Sequence, residues 1–198
     1  MAALPKLAPS RMTIEEFLDW PGDGSGKKFE FIDGEPRAMA PASVPHGIMQ
    51  ATLARLLGTH LSGTRCYVVV EPGVIPRVRS EANMRVPDLA VSCEIPDGGQ
   101  RALTEPTLVI EILSPSNESE TRENVWAYTT IPTVREILLI RSTRIAAELL
   151  RRGADGSWPS NPQPIEADAA LLLESLDFSC PLTAIYENTR LARTVGGG

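Results

Sequence analysis

With 198 residues the chain fits one domain of ordinary size, large enough to bury a core without disulfide or metal staples. A hydrophobic fraction of 42% and a charged fraction of 22% exclude a disordered chain, a coiled coil and a collagen. Nineteen basic against 25 acidic residues give a net charge of −6, so the overall basic footprint of a nucleic-acid binder is missing, although a locally basic groove is compatible with it.

No apolar run approaches the roughly 18 residues of a membrane span. Residues Met1 to Arg11 carry Pro5 and Pro9 and no apolar h-region, so no secretory signal is expected. Cys66, Cys93 and Cys180 are widely spaced, with no C-x-x-C pair. They predict three free thiols and a reducing, cytoplasmic location. Only Lys6, Lys27 and Lys28 are lysines; the other basic residues are arginines.

Thr13-Ile-Glu-Glu-Phe-Leu predicts a short helix, with Thr13 and Glu16 as its capping box. Pro21, Gly22, Gly24 and Gly26 end it in a loop. Lys28 to Ile32 alternates as a strand does, and Asp33-Gly34 turns the chain into a second strand, Glu35 to Ala40. Ser43 to Gly63 is the clearest helix, with Ser43 as cap, Pro45 in the first turn and a stripe of Ile48, Met49, Leu53, Leu56, Leu57 and Leu61. Strands follow at Cys66–Glu71 and Pro87–Ser92. Thr107 to Leu113 is an apolar run broken only by Glu111, the pattern of a central strand covered on both faces.

Ser114-Pro-Ser-Asn leads into a helix from Glu118 to Thr130, with Asn117 and Glu120 as a second capping box. Val134–Ile140 predicts a buried strand and Arg144–Arg152 its hairpin partner. Gly153 to Pro164 reads as a polar loop, and the tail from Ile165 offers a short strand or two and a small helix. The fold class expected is α/β, an α+β mixed sheet flanked by helices. One domain is expected over 1–198, with a core of about 12–150 and a C-terminal extension of 151–198.

Two residues break the pattern. Glu111 puts a carboxylate inside a buried strand, which costs several kcal/mol unless it is paired or metal-bound. Asp88 follows Pro87 at the start of another strand. The two strands are joined by a short connection, so the carboxylates can lie side by side. They then repel unless a cation neutralises them, and oxygen-only ligands favour Mg²⁺ or Mn²⁺. A salt bridge at Glu111 and plain turn chemistry at Asp88 are the structural alternatives.

At these residues the chain resembles the Uma-type endonuclease family, of the PD-(D/E)-x-K nuclease superfamily with its restriction-endonuclease-like fold. The resemblance rests on Pro87-Asp88, then Glu111-Ile-Leu-Ser-Pro-Ser, together with Phe29-Glu30-Phe-Ile-Asp-Gly-Glu35, Met39-Ala-Pro-Ala-Ser with His46, Tyr128, Ile131-Pro132 and Arg135-Glu136. It covers about residues 12 to 145. It implies that Asp88 and Glu111 ligate a metal ion with the Ile112 carbonyl, and that Glu30 is a third acidic residue beside it.

The superfamily's lysine, two residues beyond the acidic strand residue, is Leu113 here. In the Uma-type family the lysine stands on the next helix, and this chain has Asn124 there. Asparagine can orient water or phosphate but carries no charge. Lys28 and Arg122 are candidate substitutes, although an arginine carries protons poorly. Arg77, Arg79 and Arg85 either line a phosphate-binding groove or form a solvated face. Trp126 and Tyr128 are expected in the core.

The function expected is metal-dependent hydrolysis of DNA phosphodiester bonds, with Asp88, Glu111, Glu30 and Asn124 as catalytic residues. DNA and a second copy of the chain, as a homodimer, are the expected partners. The alternative is a pseudo-nuclease that kept the fold and binds DNA or protein without cleaving.

Overall fold

The structure is a computed structural model that describes residues 11–115 and 118–195. The expected cap at Asn117 lies outside the described residues. The chain opens with α1 (Ile14–Asp19), the hairpin β1 (Phe29–Ile32) and β2 (Glu35–Ala38), and the long helix α2 (Val44–His60). Next come β3 (Tyr67–Val70), β4 (Leu89–Ser92), β5 (Pro106–Leu113), α3 (Glu118–Thr129), β6 (Glu136–Arg141) and β7 (Ala146–Arg151). The last elements are β8 (Gln163–Glu166), β9 (Ala170–Leu173), β10 (Phe178–Pro181) and α4 (Arg190–Val195).

Local chemistry sets the N-terminal elements. Thr13 Oγ1 accepts from the Glu16 N–H at 3.3 Å and Glu16 Oε2 accepts from the Thr13 N–H at 2.8 Å, which closes the expected capping box. Asp33 and Gly34 have φ of 53° and 86°, as a two-residue hairpin turn with both residues left-handed requires. This turn fixes the register, with Ile32 opposite Glu35 and Glu30 opposite Arg37. Phe17 of α1 stacks on Phe31 at 4.7 Å between ring centroids, so α1 holds the hairpin against the rest of the chain.

Six strands form one mixed sheet in the order β3-β4-β5-β6-β7-β8. β5 and β6 run parallel, joined through α3, and the other neighbours are antiparallel. The alternation of β5 divides the core. Leu108, Ile110 and Ile112 face α2, where they meet Met49, Leu53 and Leu57. Val109 and Leu113 face α3, with Val125 and Tyr128. Glu111 sits between them in sequence and shares the α3 side. The apolar run is continuous because both faces are covered.

Some expectations need correction. β8 begins at Gln163, inside the expected polar loop. The C-terminal residues form one wall of the core: Leu171, Leu182, Ile185 and Tyr186 are fully buried against α2 and the sheet. Trp126 is 70% exposed, whereas Tyr128 is fully buried.

The expectation of three free thiols is also wrong. Cys66 and Cys93 form a disulfide across β3 and β4, flanking the Tyr67–Ser92 pair, and Cys180 is the free, half-buried thiol. Antiparallel pairing brings together residues 27 apart in sequence, which spacing alone does not reveal. The thiol argument for a reducing compartment falls with it. Among the described residues no helix is long and apolar enough to cross a membrane.

Candidate active site

The β4–β5 register sets Leu89 opposite Ile110, and one step further it sets Asp88 beside Glu111. Asp88 lies just before β4, so beyond Ile110 the edge of β5 lacks a β4 partner. The Asp88 carboxylate fills that gap: its Oδ2 accepts the Ile112 N–H at 2.6 Å. In a strand the carbonyl of a residue faces the same edge as its N–H, so the Ile112 carbonyl also faces Asp88.

Helix α2 clamps Asp88 from the other side. His46 Nε2 lies 2.7 Å from Asp88 Oδ1. One turn on, Gln50 Nε2 donates to the Asp88 carbonyl at 3.0 Å. The i, i+4 spacing puts both on one helix face, and the Ser43 cap starts α2 where His46 reaches the sheet end. The Glu71 N–H also donates to the Asp88 carbonyl, at 3.0 Å.

Glu111 is 7% exposed. Burial raises its pKa well above the usual glutamate range, and the charges of Asp88 and Glu30 push the same way. The Tyr128 hydroxyl, donating to Glu111 Oε1 at 2.8 Å, and the Asp88 backbone N–H pull it down. The Tyr128 pKa is also well above its ordinary value, through burial and then the charges of Glu111 and Glu30.

Glu30 reaches the site from β1 and is 6% exposed. Its Oε1 accepts the Val86 N–H at 2.9 Å and Asn124 Nδ2 at 3.3 Å; its Oε2 lies 3.5 Å from the same amide nitrogen. Burial raises its pKa, while the Val86 N–H, the Arg85 guanidinium and Asn124 oppose the rise and Glu120 adds to it. Asn124 and Tyr128 stand one turn apart on α3 and contact different carboxylates of the same cluster.

Glu30, Asp88, Glu111 and Asn124 therefore line one cavity of about 220 Å³, together with Arg37, Glu120 and Thr121. A second cavity of about 560 Å³ adjoins it through Asp88, Met39 and Ala40, and is lined by Lys27, Lys28, Ser43 and His46. Among the described residues no group of three or more His, Cys, Asp or Glu side chains is spaced to hold a metal ion by itself.

The cations named from sequence have other partners. Lys28 is ion-paired with Glu71, and Arg122 is held by Glu118 and Glu148 at 3.0 Å each. Arg77 pairs with Glu105 and Arg79 with Asp33. Arg85 donates to the Phe31 carbonyl and to Asn83, which places its charge behind Glu30. Sequence reasoning missed the clamp of His46 and Gln50 and the bond from Tyr128. The signal available was the polar pair at i, i+4 in the first two turns of a helix whose other buried positions, Thr52 apart, are the apolar Met49, Leu53 and Leu57.

Comparisons with known proteins bear on the family and the fold. The Uma2 family, described as "Putative restriction endonuclease", matches residues 14–183. The "Uncharacterized protein slr1290" of Synechocystis sp. is 32% identical over 187 residues, which cover 93% of this chain and 94% of that protein. The "Uncharacterized protein sll1609" of the same organism is 32% identical over 151 residues, covering 74% of this chain and 84% of its own. Among solved structures, one described as "a putative nuclease belonging to DUF820", from Anabaena variabilis, superposes with a TM-score of 0.72 at 18% identity, over 88% of this chain and 97% of its own. The likeness assigns the mixed α/β sheet to the restriction-endonuclease-like fold. The family match runs well past residue 145, in keeping with the buried C-terminal wall.

Proposed function

This chain belongs to the Uma2 family, and on that footing we propose that it is a metal-dependent nuclease that hydrolyses phosphodiester bonds in DNA. The observation that carries the reading is the convergence of Glu30, Asp88 and Glu111 on one cavity, two of them buried with raised pKa values. A carboxylate cluster that repels itself is unfavourable in the resting protein and becomes favourable when a cation joins it.

The donor set fits Mg²⁺ or Mn²⁺. Asp88, Glu111 and the Ile112 carbonyl are hard oxygen donors, and Mg²⁺ is commonly held by one or two carboxylates, its remaining positions taken by water and substrate phosphate. Such an ion, when bound, polarises a phosphoryl oxygen and acidifies water.

The chain's own residues do the rest. His46 and the Ile112 N–H fix both oxygens of Asp88, and Tyr128 fixes Glu111, so the carboxylates need little reorganisation. Glu30 is the proton acceptor: burial raises its basicity, and Asn124 and the Val86 N–H hold it in place. The water oxygen forms the new bond to phosphorus, the bond to the leaving sugar oxygen breaks, and Glu30 takes the water's proton. The leaving oxygen takes its proton from solvent.

The test is nicking of supercoiled plasmid by the full chain with Mg²⁺ or Mn²⁺. The reading expects cleavage that chelator abolishes and that Asp88→Ala reduces by at least about a hundredfold. No cleavage with either ion, or equal cleavage by Asp88→Ala, would overturn it.

A further inference from the structure

We propose, resting on the nuclease reading above, that Arg37 grips the substrate phosphate at this site. A phosphodiester entering the cavity meets Glu30, Asp88, Glu111 and Glu120, all acidic. Even with a divalent ion neutralising two of them, the balance of charge opposes an anion. Among the described residues that line the cavity, Arg37 is the one cation.

Its placement follows from the hairpin. Arg37 of β2 is the cross-strand partner of Glu30 of β1, and such partners project from the same face. The face that buries Glu30 in the cavity thus presents Arg37 at its mouth. The backbone there is pinned. Phe31 exchanges both hydrogen bonds with Met84 at 2.8 Å, and the Met39 N–H donates to the Lys28 carbonyl at 2.9 Å.

The side chain, by contrast, is uncommitted. Arg37 is exposed and forms no ion pair with a described residue. The other arginines singled out from the sequence differ, since Arg79 and Arg77 are paired with carboxylates and Arg85 is tied to Phe31 and Asn83. A free guanidinium on a fixed strand can close its planar fork on two phosphate oxygens. The remote Arg101, paired with Asp19 at 2.7 Å, is the control.

The experiment measures two quantities for the wild type, Arg37→Ala, Arg37→Lys and Arg101→Ala, each as the full chain. One is the affinity for a fluorescent DNA duplex in Ca²⁺ across a KCl series. The other is the single-turnover cleavage rate in Mg²⁺. For Arg37→Ala we expect a rate about 10²-fold lower. Its plot of log affinity against log salt should be shallower by about one. Arg37→Lys should keep the slope and recover part of the rate, because it restores the charge without the fork. Arg101→Ala should change neither, and unaltered thermal unfolding of Arg37→Ala excludes a folding defect. Arg37→Ala matching the wild type in rate and slope overturns the proposal. If the wild type binds DNA without cleaving it, the slope alone decides. A wild type that neither binds nor cleaves DNA sinks the nuclease reading and Arg37 with it.

Discussion

Glu111→Gln in the metal-free protein isolates the electrostatic strain that the site carries. Burial and the charges of Asp88 and Glu30 hold the folded-state pKa of Glu111 above that of the unfolded chain. The folded protein therefore keeps a proton that the unfolded chain releases. Stability falls as pH rises from the ordinary glutamate range through the folded-state value, and the penalty vanishes below that range, where both states are protonated. Glutamine keeps a carbonyl to accept from the Tyr128 hydroxyl and removes the charge. Replacing a buried charge by a neutral group of the same shape commonly gains about 1–3 kcal/mol. For a chain of this length that corresponds to a melting temperature higher by about 3–10 °C. Thermal unfolding with EDTA at about pH 8 and about pH 4 measures it, because the chelator removes any contribution from bound cations. The variant should gain at the higher pH and match the wild type at the lower one. No gain at the higher pH, or an equal gain at both, would refute the strained-carboxylate argument.

Two further outcomes are expected. Asn124→Ala removes the amide that holds Glu30 and should lower Mg²⁺-dependent DNA cleavage at least about tenfold, while metal titrations of the two proteins stay within a few-fold; an unchanged rate would show that Asn124 does not position the base. Thiol titration of the unfolded, unreduced protein should give one thiol per chain, from Cys180, and three after reduction; three without reduction would contradict the Cys66–Cys93 bond.

Much of the fold was legible because local chemistry decided it. The capping box at Thr13, the Asp33-Gly34 turn, the stripe on α2 and the apolar run of β5 each name their element without help from the rest of the chain. The acidic anomalies at Asp88 and Glu111 likewise point to the cavity they share, because polar groups in buried strands have few inexpensive explanations. What stayed hidden depends on pairing across long sequence separations. The disulfide, the reach of His46 to Asp88 and the packing of the C-terminal ribbon on α2 all arise from which strands and helices become neighbours. The partner of Lys28 was hidden for the same reason. Its partner, Glu71, comes from the residue after β3 and not from its own hairpin.

The central claim is that Asp88, Glu111 and the Ile112 carbonyl hold one divalent ion for phosphodiester hydrolysis. Anomalous diffraction from crystals soaked in Mn²⁺ tests it most directly. The account predicts one peak within about 2.3 Å of an oxygen from each of the three groups, absent in Asp88→Ala crystals soaked alike. No peak at these residues, or a peak that persists unchanged in Asp88→Ala, would contradict it.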